Sequence, residues 1–294
     1  MPAVTVDGVR LFTRRFGDPS SPPLVVIHGG PTWDHSFLLP AVAALADVAQ
    51  VVLFDLPGCG RSHRTPPAGD LPHDRLQPEA LADTVAGLIS TLGHPNADVL
   101  GFSFGGRIAM RLVQRHPTLV NRLILASTTA YTDFDPPPVP ADRLALSTPV
   151  SFDDPLLTGT DGALSRAMAH GDAAQMIWQL DRLDEWRQVL DRVRFTSDYN
   201  EMHASGRLRP AAPPDIVDVL RAWARPALIL HGAHDLGFPV DVAHRLHAEL
   251  TSSRLAVVPD AAHMAHFDNP DAWLAAVRTF LSATPSTSEI VLAE

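Results

Sequence analysis

Short apolar runs that end in glycine or polar turns alternate along this chain with segments of helical period, and this alternation constrains the fold more than any other feature. After the hairpin-like "VTVDGVRLFTRRFG", where apolar and polar residues alternate about Asp7 and Gly8, come "PPLVVIHGG", "VAQVVLFDLPG", "ADVLGFS", "NRLILAS", "PALILHG" and "SRLAVVPDA". Unbroken runs of Val, Leu and Ile suit strands buried on both faces, as in parallel sheets covered by helices. Helical spacing fills residues 76–92, 105–116, 240–250 and 271–281, the second segment being stopped by Pro117. The expected fold class is α/β, a mostly parallel sheet flanked by helices. In such sheets the chemistry gathers at the carboxyl ends of the strands.

The alternation breaks after "LILASTT" and resumes at "PALILHG". Between them "DFDPPPVP" leads into "GALSRAMAHGDAAQMIWQLDRLDEWRQVLDRVR", helical in spacing and without a clear strand, and the proline-rich "LRPAAPPD" leads back. Residues 130–223 are therefore expected to form a helical cap inserted into a core of residues 1–129 and 224–283, with 284–294 as a loose tail. A separate helical domain is the alternative for the insertion. At 294 residues the chain is long enough for one large core with such an insertion.

Charge narrows the chemistry. The 23 basic residues are all arginine against 33 acidic ones, a formal net charge of −10. A surface that tracks phosphates is not expected, so no nucleic-acid partner is either. Without lysine, P-loop and Schiff-base mechanisms drop out. Cys59 is the single cysteine, which excludes an intramolecular disulfide and any zinc site built on two cysteines of one chain. "MPAVTVDGVR" is unlike a signal peptide, and no apolar stretch reaches a membrane-spanning length. A cytoplasmic protein, monomer or small homo-oligomer, without membrane contact, is expected.

The stretch "LGFSFGGRIAM" sets Ser103 between Gly101 and Gly105, after a strand and before a helix, the context of the nucleophile-elbow pattern G-x-S-x-G. A serine attacks only with a base beside it and an acid that orients the base. Asp235 follows the strand "PALIL", and His263 follows the strand "SRLAVVPD". His266 competes with His263, which loop position favours. His231 and His234 flank Asp235 and could suggest a metal, yet no further ligand cluster has metalloenzyme spacing, so neither metal nor cofactor is expected. The backbone N–H groups of Gly30, in "IHGGPTWDHSF", and of Phe104 are the candidate oxyanion donors. Asp55 and Arg61 are read as holding the "FDLPGCGRS" loop, and Cys59 as filler.

With these residues the chain resembles the α/β-hydrolase superfamily over nearly its whole length. Within it, "HGGPTWDHSFLLP" and "GCGRS" resemble the proline iminopeptidase branch, whose members carry HGGPG and D-Q-x-G-C-G-R-S. The resemblance implies an acyl-enzyme mechanism through Ser103, His263 and Asp235, and a substrate-selecting cap. This chain departs at Thr32, at "DLP", and at Leu236, where some aminopeptidases of this kind place an amine-binding glutamate. Glu201 resembles the second such glutamate, with a solvated acidic residue as the alternative, and Trp33 is a further substrate-binding candidate beside Leu236. The expectation is a serine hydrolase of a small-molecule ester or amide, iminopeptidase-like. A carboxylesterase or lactonase, a carbon–carbon bond hydrolase and a non-enzymatic ligand-binding protein on this fold are the alternatives.

Overall fold

The computed structural model describes residues 3–62, 72–152 and 154–283. The expected tail, 284–294, lies outside the described residues. Strands β1 (Ala3–Val6) and β2 (Val9–Phe16) form the expected hairpin; Asp7 and Gly8 both have positive φ, 48° and 81°, as a two-residue turn matched to strand twist requires. Then follow β3 (Pro23–Ile27), β4 (Gln50–Phe54), β5 (Ala97–Phe102), β6 (Val120–Ala126), β7 (Ala227–Gly232) and β8 (Ser253–Val258). They form one eight-stranded sheet in the order β1-β2-β4-β3-β5-β6-β7-β8, antiparallel at β1 and β2 and parallel from β4 onward.

Every residue of β3, β4, β5 and β7 is buried, which explains their unbroken apolar runs. Helices Pro78–Ser90, Phe104–Arg115 and Val240–Glu249 supply one packed face, and Pro270–Ser282 with Leu39–Ala43 the other. Burying each such Leu, Ile or Val side chain is worth about 1.5–3 kcal/mol before chain entropy is subtracted. The helix boundaries fall within two residues of those read from spacing, where ends fray.

Among the described residues between β6 and β7 there are helices and no strand: Ala141–Leu146, Pro155–Thr158, Ala163–Gly171, Ala173–Met176, Leu183–Leu190, Asp198–Ala204 and Ile216–Trp223. The last of these packs on the helix Phe104–Arg115, because its apolar face carries Ile216 and Leu220 into the core beneath it. No described helix is long and apolar enough to cross a membrane.

Candidate active site

Ser103 sits at the junction of β5 and the helix Phe104–Arg115 with φ 52° and ψ −117°. A non-glycine residue there costs about 1–3 kcal/mol and persists only when its surroundings hold it. Here its N–H donates to the Ala126 carbonyl at 2.9 Å, and its own carbonyl accepts from Thr128 Oγ1 at 2.7 Å. The neighbouring glycines make the bend possible. A Cβ on Gly105 would stand 2.2 Å from the Ile27 carbonyl oxygen, so only hydrogen lets the helix approach β3 so closely.

His263 brings its Nε2 to 3.1 Å from Ser103 Oγ and its Nδ1 to 2.8 Å from Asp235 Oδ2. The second carboxylate oxygen, Oδ1, accepts the N–H groups of Gly237 at 2.8 Å and Phe238 at 3.0 Å. Burial alone would raise the Asp235 pKa, but the charge and hydrogen bond of His263, with help from His231 and the Phe238 N–H, hold it below the ordinary carboxylate value. An ionised Asp235 fixes the proton of His263 on Nδ1 and leaves Nε2 free to accept from the serine hydroxyl. The rings of Phe102 and Phe238, at 5.3 and 5.6 Å, wall the imidazole.

The other histidines divide in a way spacing alone does not resolve. His266 packs edge-on against Phe102 at 5.2 Å and lies 6.2 Å from Trp273. Burial there pushes its pKa down to about 3, with the Phe37 backbone opposing. His231, fully buried, donates from Nε2 to the Phe238 carbonyl at 2.8 Å, bracing the loop that carries Asp235. His234 stacks on Trp178 at 3.7 Å. The three rings thus serve packing and loop geometry, with His231 Nε2 also 3.4 Å from Asp235 Oδ2.

Gly30 has φ 59° in the turn after β3 and accepts the Trp33 N–H at 2.9 Å. This turn lies against the bend at Ser103: a Cβ on Gly29 would meet Ser103 Cβ at 2.9 Å. Phe104 is the first residue of its helix, where the N–H has no intrahelical acceptor. Trp33 is buried in an aromatic cluster, 5.2 Å from Phe37, 5.4 Å from Phe195 and 6.4 Å from Trp186, so it joins the turn to the helical segment. Leu236 is half-buried next to Asp235. Glu201 is not brought to the others: its side chain is 71% exposed and pairs with Arg207 at 3.2 Å.

Residues with ligand atoms close enough to hold a cation, among those described, are Asp34, His35 and Asp55, all buried. The atoms that face one another already have partners. His35 Nδ1 meets Asp55 Oδ1 at 2.5 Å, the Arg61 N–H donates to Asp55 Oδ2 at 2.8 Å, and the Arg61 guanidinium donates to Asp34 at 2.7 Å. An arginine supplies the positive charge a metal would bring, and the network braces the loop after β4, as read for Asp55 and Arg61. Asp34 and His35 complete the network, and their trace in the sequence is the D-H pair of "TWDHSF", beyond the glycine turn after β3.

Residues 22–270 match the family model described as the alpha/beta hydrolase fold. A pimeloyl-[acyl-carrier protein] methyl ester esterase of Nitrosospira multiformis is 25% identical over 280 residues, covering 92% of this chain and 98% of that protein. A proline iminopeptidase of Xylella fastidiosa is 25% identical over 303 residues, covering 94% of each. Among solved structures, the enol-lactonase from Burkholderia xenovorans LB400 superposes with a TM-score of 0.71 at 25% identity, covering 96% of this chain and all of that one, 100%.

Proposed function

We propose, for a chain that belongs to the alpha/beta hydrolase family and is a hydrolase, that it cleaves a small-molecule ester or lactone, or an amide without a free amine, through a serine acyl-enzyme. The observation that carries this reading is the 3.1 Å contact of His263 Nε2 with Ser103 Oγ, backed at 2.8 Å by Asp235. In the proposed reaction His263 takes the Ser103 proton as Oγ attacks the carbonyl carbon, then returns it to the leaving group. A water deprotonated by the same nitrogen releases the acyl group. Asp235 holds the imidazole in one tautomer and stabilises its cation. The N–H groups of Gly30 and Phe104 receive the oxyanion, each worth roughly 10²- to 10³-fold in rate. The positive end of the helix Phe104–Arg115 adds to that field. Residues 130–223 act as a cap that shapes the acyl pocket.

Ester and lactone substrates are favoured over aminoacyl ones because neither position at which some aminopeptidases of this kind place an amine-binding glutamate offers a free carboxylate here. Leu236 follows Asp235, and Glu201 is solvated and paired with Arg207. The names of the relatives divide in the same way, esterase and lactonase on one side and iminopeptidase on the other. The test is a paired screen of p-nitrophenyl esters and lactones against prolyl and other aminoacyl anilides, with fluorophosphonate labelling mapped to Ser103. Turnover of esters with weak turnover of anilides is expected. Efficient cleavage of prolyl anilide overturns the substrate class, and labelling without turnover of any substrate, carbon–carbon substrates included, favours a ligand-binding protein.

A further inference from the structure

One stretch of the helical segment, Met176–Gln179, reaches both loops that carry the proposed acid and base. The Met264 N–H, next to His263, donates to the Met176 carbonyl at 3.0 Å. Asp268, 2% exposed, gathers the rest. Its carboxylate accepts the Trp178 N–H at 2.9 Å and the Gln179 N–H at 3.3 Å from that stretch. From the other side it accepts the N–H of Ala262, one residue before His263, at 2.8 Å. The Trp178 ring stacks at 15° on His234, one residue before Asp235, with the Arg143 guanidinium 4.9 Å from the indole. Arg143 is itself buried and donates to the carbonyls of Ala174, Ile177 and Trp178. A buried carboxylate with several backbone donors fixes their relative positions, because breaking any one strands a buried polar group.

We propose that Asp268 and Trp178 are positioning residues for the reaction, tying Met176–Gln179 to the His263 loop by hydrogen bonds and to the Asp235 loop by stacking. Neither touches the reacting atoms, and the inference rests on the triad reading above. Its consequence is that this part of the cap is a fixed strut that sets the separation of His263 from Asp235 and Ser103.

Asp268→Asn keeps the shape but turns one acceptor into an NH₂ donor facing backbone donors. Measured per folded molecule on a p-nitrophenyl ester, its kcat should fall about 10- to 100-fold with KM within about threefold, the scale set by small misplacements of reacting groups. The acid limb of kcat/KM should move to lower pH, because a loosened Asp235 contact stabilises the imidazolium less. A lower melting temperature with wild-type kcat and an unmoved acid limb would mean a merely structural role and overturn the proposal. Should Asp268→Asn fail to fold, Trp178→Leu decides, since it leaves every backbone hydrogen bond of Asp268 in place and removes the stack on His234 together with the Arg143–indole contact. An approximately 3- to 10-fold loss of kcat at constant KM is expected of it, and wild-type kinetics overturn the proposal. Turnover that survives Ser103→Ala would instead sink the serine mechanism, so the two failures are distinct.

Discussion

The buried pair Asp55–His35, after β4, and the buried pair Asp235–His263, after β7, both stand at the carboxyl ends of strands. In both, Nδ1 of the imidazole meets the carboxylate, at 2.5 and 2.8 Å. In both, burial pushes the carboxyl pKa up and the histidine, as the foremost opposing partner, brings it below the ordinary value. They differ at the far nitrogen. His35 is stacked on Phe12 at 5.4 Å, and its Nε2 has no partner among the described residues. His263 Nε2 reaches Ser103. The charge environments differ as well: Asp55 also has Arg61 within 4.0 Å, whereas Asp235 has the buried His231 at 3.4 Å and no arginine ion pair among the described residues, its second oxygen taking backbone N–H groups. An Asp–His pair is thus an orienting unit. Chemistry requires that its outer nitrogen meet a hydroxyl where substrate can arrive.

Mutations can break or sharpen that contrast. His263→Ala should lower kcat roughly 10⁴- to 10⁶-fold in ester turnover, while the protein still folds. The matching His35→Ala should leave kcat per folded molecule within about threefold and instead lower unfolding free energy by about 1–3 kcal/mol in urea titrations, because Asp55 loses a buried partner. If His35→Ala were as damaging to turnover as His263→Ala, the two pairs would not be functionally distinct. Asp235→Asn should cost roughly 10⁴-fold in kcat by favouring the wrong tautomer, and Asp55→Asn should act on stability alone.

A third histidine sharpens the picture through pH. His266 is held near a pKa of about 3 against an ordinary 6.5. Between those values the unfolded chain binds a proton that the folded chain refuses, so stability falls as pH drops, by about 1.4 kcal/mol per pH unit. Asp235 and Asp55 have lowered folded pKa values, so their stabilisation is present above the unfolded Asp value, about 3.9, and is lost below it as they protonate. His266→Gln should therefore flatten the fall in unfolding free energy from about pH 6 to about pH 4 by close to one proton. An unchanged slope would show that His266 is not the group refusing the proton. The smallest effect belongs to Glu201→Gln, expected to change ester kcat/KM by less than about twofold and stability by less than about 0.5 kcal/mol, since exposed ion pairs contribute little. A tenfold loss on any amine-bearing substrate would bring Glu201 back to the site.

The sheet was legible because β3, β4, β5 and β7 are buried on both faces and their sequences are accordingly unbroken apolar runs. Ser103 and Asp235 were readable as candidates because each follows such a run, and His263 because it follows the apolar run of β8, which is only partly buried. The choice between His263 and His266 rested on loop position, and three residues of chain take one ring to the serine and the other into an aromatic box. Asp268 was not legible at all, because its partners are backbone N–H groups, which every residue but proline carries. The cluster of Trp33, Trp186 and Phe195 was closed to inspection for another reason: it joins side chains more than 150 positions apart through packing, which leaves no local periodicity. Glu201 showed the reverse, a residue type that fits a role and a helix position that turns it to solvent.

The positive φ of Ser103 has a consequence for how this chain can drift. A glycine at that position would relax the backbone, so loss of the hydroxyl and a gain in folding free energy of about 1 kcal/mol or more would arrive in the same substitution. On the proposed serine mechanism, backbone strain therefore favours the inert protein at position 103, and the serine persists there only while turnover is under selection.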